Sequence, residues 1–413
     1  MPKFLLSFFL IIFVFTSVSA QEKNLDYFIS SAISSSPLLK DYNSQARSNL
    51  IDSLRLRAAY KPQVNVVSNN LYAPVIGGWG YDNAITNGIN FGQLITVSKE
   101  VANKKVLQNQ FEAIQLQNNS LAVTGKISEQ DLKKTITSQY ITAYGSWQQY
   151  TFNKDVYQLL SREDSILKKL TEAGVYRQTD YLTFLVTLKQ QRLSVTQARI
   201  QYQNDFSTLN YLSALQDTSF EMITDPGLQI NALPELENTV YYQKFTTDSL
   251  LLKNNDIQVD LNYKPKISLY ADAGYLSSFA YQSYKNFGTS VGINLSMPIY
   301  DGQQKKMQHD KIAIAEQTRQ QYRDYFKTQY NQEIAQLVQQ LQAADEIIAE
   351  ATDQIKYTEG LMQANRKLIA TGDAHIADYI IALNNYLNAK NIITQNTTNK
   401  LQIINQINYW NRQ

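Results

Sequence analysis

The sequence predicts an α+β membrane protein, a tandem repeat in which each half contributes two β-strands and long coiled-coil helices. Two blocks of helix-favouring composition, residues 75–225 and 299–413, contain no proline. Each block follows a short region marked by proline, glycine and alternating polarity, and the two halves resemble each other. The 413 residues include 38 basic and 36 acidic side chains, and none of them is cysteine. This composition excludes disulfides and thiolate metal sites, and it argues against a nucleic-acid partner.

The N-terminal segment is typical of a secretory signal peptide. MPKFLLSFFLIIFVFTSVSAQE contains the basic residue Lys3, an apolar core from Phe4 to Phe15, and Val18-Ser19-Ala20, which resembles a cleavage site. The apolar core is shorter than the roughly 20 residues that a spanning helix needs. We therefore expect residues 1–20 to be removed during export.

The remaining chain repeats one pattern, in residues 21–225 and again in residues 226–413. Three pairs of elements match in the same order, with offsets of 203, 204 and 198: Lys61-Pro62 with Lys264-Pro265, Gly88-Ile89-Asn90 with Gly292-Ile293-Asn294, and Gly174…Asp180 with Gly372…Asp378. Ordered matches of this kind indicate a tandem duplication. We expect a helix, two strands, a long helix and a return helix in each half.

Four segments are predicted to be strands, at about residues 62–75, 84–96, 264–277 and 286–299. In the third segment Ile267, Leu269 and Ala271 share one face, while the alternate residues on the other face are mostly polar. Alternation over about ten residues is typical of a transmembrane β-strand, although a half-buried strand in a soluble sheet has the same pattern.

A membrane sheet of four strands cannot close by itself. An open edge in hydrocarbon leaves backbone groups unsatisfied, and closed barrels begin at about eight strands. We therefore expect several copies of the chain to share one barrel. The polar strand face would then line a water-filled lumen with Ser268, Asp272, Ser290, Asn294 and Ser296.

The long helices are predicted from a seven-residue repeat. Apolar residues recur at Ile334, Leu341, Ile348, Ile355, Met362 and Ile369. This spacing is typical of a coiled-coil seam. Long helices are expected at about 99–170 and 303–370, with return helices at about 178–214 and 375–411.

The stretch VGINLSMPIYDGQQKK, residues 291–306, resembles the strand-to-helix signature of the TolC-like outer-membrane efflux proteins. The repeated architecture and the Lys-Pro strand openings extend the resemblance over essentially the whole mature chain. It implies a homotrimer in outer-membrane lipid, with a barrel of about twelve strands continued by an α-helical barrel in the periplasm. It also implies an exit duct for efflux or type I secretion, coupled to an inner-membrane transporter through a periplasmic adaptor.

The resemblance assigns roles to a few residues. Gly174 and Gly372 match the turns at the helix tips, and Asp180 and Asp378 match positions where acidic side chains narrow the pore. Both aspartates are also interpretable as N-terminal helix caps. The family's arginine and second acid are replaced here by Ala374 and Ile381, so the family's latch is not copied directly. Arg177 and Lys367 are the candidates to substitute for the arginine. The strand-to-helix turn is assigned to Pro298, Asp301 and Gly302.

The sequence favours a non-enzymatic protein without a metal or cofactor. Its two histidines, His309 and His375, lie outside any zinc-binding spacing. The alternative to a duct is an exported soluble coiled-coil scaffold or adhesin, which would explain the signal peptide and the heptads without lipid.

Overall fold

The structure is a computed structural model. It describes residues 23–86, 88–101, 103–217, 221–230, 235–278 and 282–410. The predicted signal peptide lies outside the described residues. The chain divides into two compact units. The first unit comprises the described parts of 1–35, 132–229 and 340–405. The second unit comprises the described parts of 36–131, 230–339 and 406–413. Each unit therefore takes segments from both halves of the sequence.

The described residues form α-helices and β-strands, and a very long helix follows the second and the fourth strand. In chain order they are α1 (Leu25–Ser35), α2 (Pro37–Ala59), β1 (Gln63–Tyr72), α3 (Asn83–Thr86), β2 (Ile89–Glu100), α4 (Lys104–Glu172), α5 (Gln178–Leu212), α6 (Val240–Asn262), β3 (Lys266–Ser277), β4 (Phe287–Ser296), α7 (Gln304–Thr371) and α8 (Ile376–Trp410). No helix of the described residues is long and apolar enough to span a membrane. Helices α2 and α6 both have 23 residues, and α4 and α7 have 69 and 68.

In the second unit, the four strands form one antiparallel sheet in the order β1-β2-β3-β4. Val66 pairs with Ile95, and Ile95 in turn pairs with Ala273. Across the last pair of strands, Leu269 lies opposite Ile293. Strands β1 and β4 are the sheet edges, so the sheet is open within one chain.

The second strand begins later than the predicted residue 84. The structure places α3 at Asn83–Thr86 and starts β2 at Ile89. The N–H of Ala84 donates to Asp82 Oδ1 at 2.9 Å, and the N–H of Thr86 donates to the Asp82 carbonyl oxygen at 3.1 Å. These bonds start a helical turn, and Gly88, with φ of +73°, then redirects the chain into the strand.

The helices of the second unit follow the order of the strands to which they connect. Helix α2 contacts α4, since Asn49 Nδ2 donates to Asn118 Oδ1 at 2.8 Å. Helix α4 contacts α6 through Asn109 and Asn254. Helix α6 contacts α7, where His309 Nδ1 lies 2.6 Å from Asp256 Oδ1, a hydrogen bond that raises the pKa of His309. The helix order is therefore α2-α4-α6-α7, with α2 and α7 at the edges.

The first unit contains two apolar clusters. One joins α1, α4 and α5 around the buried rings of Phe28, Tyr140 and Tyr202. The other joins α4, α5, α7 and α8 and includes Met362 and Ile369 of the predicted seam.

Other members of the predicted seven-residue repeat, among them Ile348 and Ile355, are only half-buried. Smaller residues at the same spacing, Ala344 and Ala351, are buried instead. A small side chain lets two helix backbones approach each other closely. The closest helix–helix contact therefore runs along the alanines, and the isoleucines lie beside it.

Candidate functional site: paired turns and an open sheet

Two helix turns in the first unit have the same backbone design. At the end of α4, the N–H of Gly174 donates to the Thr171 carbonyl oxygen at 3.0 Å, and the N–H of Val175 donates to that of Leu170 at 2.9 Å. At the end of α7, Gly372 and Asp373 make the equivalent bonds. These are Schellman caps, which need a residue in the left-handed region. Gly174 and Gly372 occupy it, with φ of +78° and +85°.

The two turns pack directly against each other. The hydroxyl of the buried Tyr176 donates to the carbonyl oxygens of Ile369, at 2.8 Å, and Ala374, at 3.0 Å. A Cβ atom added at Gly372 would lie 2.7 Å from Val175 Cγ1. The structure thus brings together both turns that the sequence singled out.

Replacement of either glycine by alanine is expected to destabilise the turns unequally. Gly174→Ala meets only backbone strain, about 1–2 kcal/mol in the left-handed region, because no atom lies within 4 Å of the added Cβ. Gly372→Ala adds the clash with Val175, so its melting temperature should fall further. Thermal unfolding followed by circular dichroism compares the two variants, and equal shifts would contradict the close packing of the turns.

Asp180 and Asp378 occupy equivalent places just after these turns. Each is the third residue of its helix, α5 or α8. The N-cap position of α5 belongs to Arg177, whose side chain makes no capping hydrogen bond. Neither aspartate is therefore the N-cap residue, although a carboxylate in the first turn is favourable next to the helix dipole.

The predicted strand-to-helix turn is built around Asp301. Its Oδ2 accepts a hydrogen bond from the N–H of Lys305 at 2.7 Å and another from the Tyr263 hydroxyl at 2.5 Å. Gly302 and Gln303, with φ of +66° and +68°, are both in the left-handed region just before α7. Pro298 lies exposed just after β4. Asp301 thus links the start of α7 to the end of α6.

The sheet of the second unit has one apolar and one polar face, and both faces are exposed. On the apolar face, Val291 and Ile293 are 84% and 74% exposed. On the polar face, the Ser290 hydroxyl donates to Asp272 Oδ2 at 3.2 Å. An exposed apolar sheet of this extent marks a surface that another apolar phase or protein covers.

No family model and no curated protein matches the chain by sequence. Solved structures match it closely in fold. The outer-membrane protein VceC of Vibrio cholerae matches with a TM-score of 0.75 and 12% identity, over 94% of this chain and 96% of that one. The chain has the TolC-like outer-membrane channel fold.

Two further channels support this assignment. CmeC of Campylobacter jejuni gives a TM-score of 0.70 at 12% identity, over 95% of this chain and 87% of that one. MtrE of Neisseria gonorrhoeae, in its open state, gives 0.72 at 12% identity, over 94% and 88%. The family resemblance is therefore confirmed at the level of the fold.

The TolC-like fold of this chain contains an ion pair near the turns that sequence reasoning missed. Arg366 Nε of α7 lies 2.6 Å from Glu163 Oε1 of α4, and Glu163 is only 1% exposed. The sequence did contain an indication of this pair. Glu163 lies three residues after Leu160 and four before Leu167, which places it on the same buried helix face as these leucines. Ala374, where the sequence resemblance predicts an arginine, packs on the apolar cluster, and Ile381 is exposed.

Tyr379 of α8 lies in the same environment. Burial raises its pKa to about 12, and the negative charge of Glu163 adds to this effect. Its buried hydroxyl finds no hydrogen-bond partner among the described residues. The phenol therefore stays neutral and acts as an apolar ring beside the Glu163–Arg366 pair.

Proposed function

We propose that the chain is the protomer of an outer-membrane exit duct for efflux or type I secretion. Three copies would combine their sheets into a barrel of about twelve strands in the outer membrane. Their long helices would continue it as a tube into the periplasm. The chain performs no covalent chemistry in this role.

The open four-stranded sheet is the observation that supports this function best. Its apolar face remains exposed in the single chain. Among the described residues, each edge strand pairs along one side only, β1 with β2 and β4 with β3. In hydrocarbon every backbone group must be paired, so a lipid-facing sheet must be completed by further strands. Neighbouring copies of the same chain would bring the open edge of β1 against the open edge of β4.

Coupling is proposed to occur at the paired turns, where a periplasmic adaptor would connect the duct to an inner-membrane transporter. Asp180 and Asp378 would ring the narrow end of the duct. Three copies would bring six such carboxylates around one axis, which favours cations and resists close approach of the side chains.

Fractionation and conductance test the proposed function. The native protein should be extracted only with detergent, run as a heat-modifiable trimer and conduct ions in a planar bilayer. A monomer that remains in the aqueous fraction would refute the duct and favour an exported scaffold.

The double variant Asp180→Ala, Asp378→Ala is expected to weaken block of conductance by multivalent cations, because fewer charges surround the pore. Asp353→Ala is the matched control, since its carboxylate is exposed on α7 away from the turns. Block is measured as the cation concentration that halves the conductance. If both variants behave like the unaltered chain, the aspartates act only on their own helices.

A further inference from the structure

A cavity lies between helices α6 and α7 of the second unit. Its volume is about 680 Å³, within the range of about 300–1,000 Å³ that small-molecule sites have. Four aromatic side chains line it: Phe245 from α6, and Tyr322, Tyr325 and Phe326 from α7. Tyr322 and Tyr325 are 65% and 60% exposed, so both rings border solvent at the cavity. The proposed duct assigns no role to this cavity.

The same helix junction occurs in the first half of the chain, between α2 and α4. Helices α2 and α6 begin 203 residues apart, and the glycines of the turns after α4 and α7 are 198 residues apart. With these offsets, Phe245 and Phe326 correspond to Tyr42 and Ser128. Both pairs are in contact: the ring centroids of the phenylalanines are 5.6 Å apart, and the Ser128 hydroxyl donates to Tyr42 Oη at 3.3 Å. The two junctions therefore share one register.

The two exposed tyrosines of the cavity have no aromatic counterpart in the first half. Tyr322 and Tyr325 correspond to Thr124 and Ile127, which are both half-buried. The junction between α2 and α4 thus forms without large rings at these places. Helix packing alone therefore does not require them, whereas aromatic rings around a hollow are typical of a ligand site.

Asp248 is the acidic group that lines the cavity. Its side chain is half-buried, and it forms no hydrogen bond or ion pair with another described residue. Burial raises the pKa of this carboxyl group, while the positive charges of Lys244 and Arg319 act in the opposite direction. The counterpart of Asp248 in the first half is the neutral Gln45. The second half has therefore placed a charge where the first half has none.

The two basic groups at the cavity do not pair with Asp248 directly. Arg319 Nε and Nη2 donate to the Glu316 carboxylate at 2.8 and 2.6 Å, and Nη1 donates to the Phe245 carbonyl oxygen at 3.1 Å. Lys244 is exposed, so water screens its charge. Asp248 is thus a partly buried charge without a direct partner, and a bound cation would supply one.

We propose that this cavity binds a small organic cation with an aromatic or otherwise apolar body. The positive group lies beside the Asp248 carboxylate, and the apolar body packs against the rings of Phe245 and Tyr322. The negative faces of aromatic rings attract cations, and the carboxylate adds a Coulomb attraction. The site lies within one chain, so this inference goes beyond the proposed duct and does not depend on it.

Tetraphenylphosphonium and tetraphenylborate test the charge preference, because the two ions have nearly the same shape and opposite charge. Each is measured separately by equilibrium dialysis against the native protein in a non-ionic detergent, with protein-free micelles as the blank. Saturable binding of the phosphonium at one site per chain is expected, with binding of the borate weaker by about tenfold or more. Equal or tighter binding of the borate, or no saturable binding of the phosphonium, would overturn the proposal.

The variant Asp248→Asn locates the site. It should weaken phosphonium binding about tenfold, because the charge is lost while the shape of the side chain is kept. Asp310→Asn is the matched control, since Asp310 is exposed on α7 and does not line the cavity. This control should bind as the unaltered chain does. Equal affinities in both variants would place the bound phosphonium elsewhere and overturn the assignment.

The double variant Tyr322→Thr, Tyr325→Ile gives the cavity the residues of the first half. It should weaken phosphonium binding about fivefold through loss of the two rings, with an unchanged melting temperature by circular dichroism because both rings are exposed. Conductance of Asp248→Asn separates this inference from the proposed function. Unaltered phosphonium binding in this variant with normal conductance overturns the site and leaves the duct intact. A chain that binds phosphonium as expected but does not conduct refutes the duct alone.

Discussion

Replacing Val291 by arginine is expected to prevent the proposed duct protomer from integrating into the membrane. Val291 lies in the middle of β4 on the apolar face, opposite Ala271, and is 84% exposed. An arginine facing the middle of the hydrocarbon costs about 2–4 kcal/mol, and each copy of an assembly bears this cost. The fraction of protein recovered in detergent-extracted outer membrane, relative to the aqueous fraction, measures the effect.

Ser290→Arg is the matched control for this experiment. Ser290 precedes Val291 on the same strand, but its side chain lies on the opposite face and donates to Asp272. There the arginine would face water and a carboxylate, so integration should persist while the ion selectivity of the conductance changes. Equal loss of membrane integration in both variants would contradict the assignment of the two faces.

Replacing Arg366 by methionine is expected to produce a large loss of stability in the first unit. Glu163 is 1% exposed and Arg366 Nε lies 2.6 Å from its carboxylate. The Arg366 side chain is 41% exposed, so solvent screens part of the pair. Its removal still leaves the buried Glu163 carboxylate without its charged partner, at a cost of about 1–3 kcal/mol. Thermal unfolding in detergent, followed by circular dichroism, should show a clearly lower midpoint for this variant.

Two comparisons identify the cause of that loss. Adding Glu163→Gln to Arg366→Met removes the stranded charge and should restore part of the stability. Lys356→Met breaks the pair with Asp353, whose side chains are 71% and 62% exposed, so its effect should stay below about 1 kcal/mol. If Lys356→Met and Arg366→Met were equally mild, the Glu163 pair would contribute no more than a surface contact.

Much of the architecture could be predicted because it follows from local patterns. Period-two alternation in β3 and β4, and the lack of proline in α4 and α7, are visible in the sequence without any knowledge of neighbours. The start of β2 was missed because Asp82 forms local hydrogen bonds that compete with strand formation. The interpretation of Asp180 as an N-cap was wrong, because the N-cap of α5 is Arg177, three residues earlier. The exact end of a helix depends on backbone geometry, which the residue types alone do not fix.

The sequence by itself determined the number of strands, the two-fold repeat and the long helices, because proline, glycine and residue spacing restrict the backbone locally. Only the tertiary structure decided which charges are buried and which helix faces remain open. Glu163 contacts Arg366 across 203 residues of sequence. Met307 of α7 is exposed, while Asn109 of α4, which the repeat offset of 198 matches to it, is buried. Such differences depend on which helices become neighbours. Two helices with the same spacing of apolar residues can pack against different partners, so the sequence pattern alone does not identify the partner.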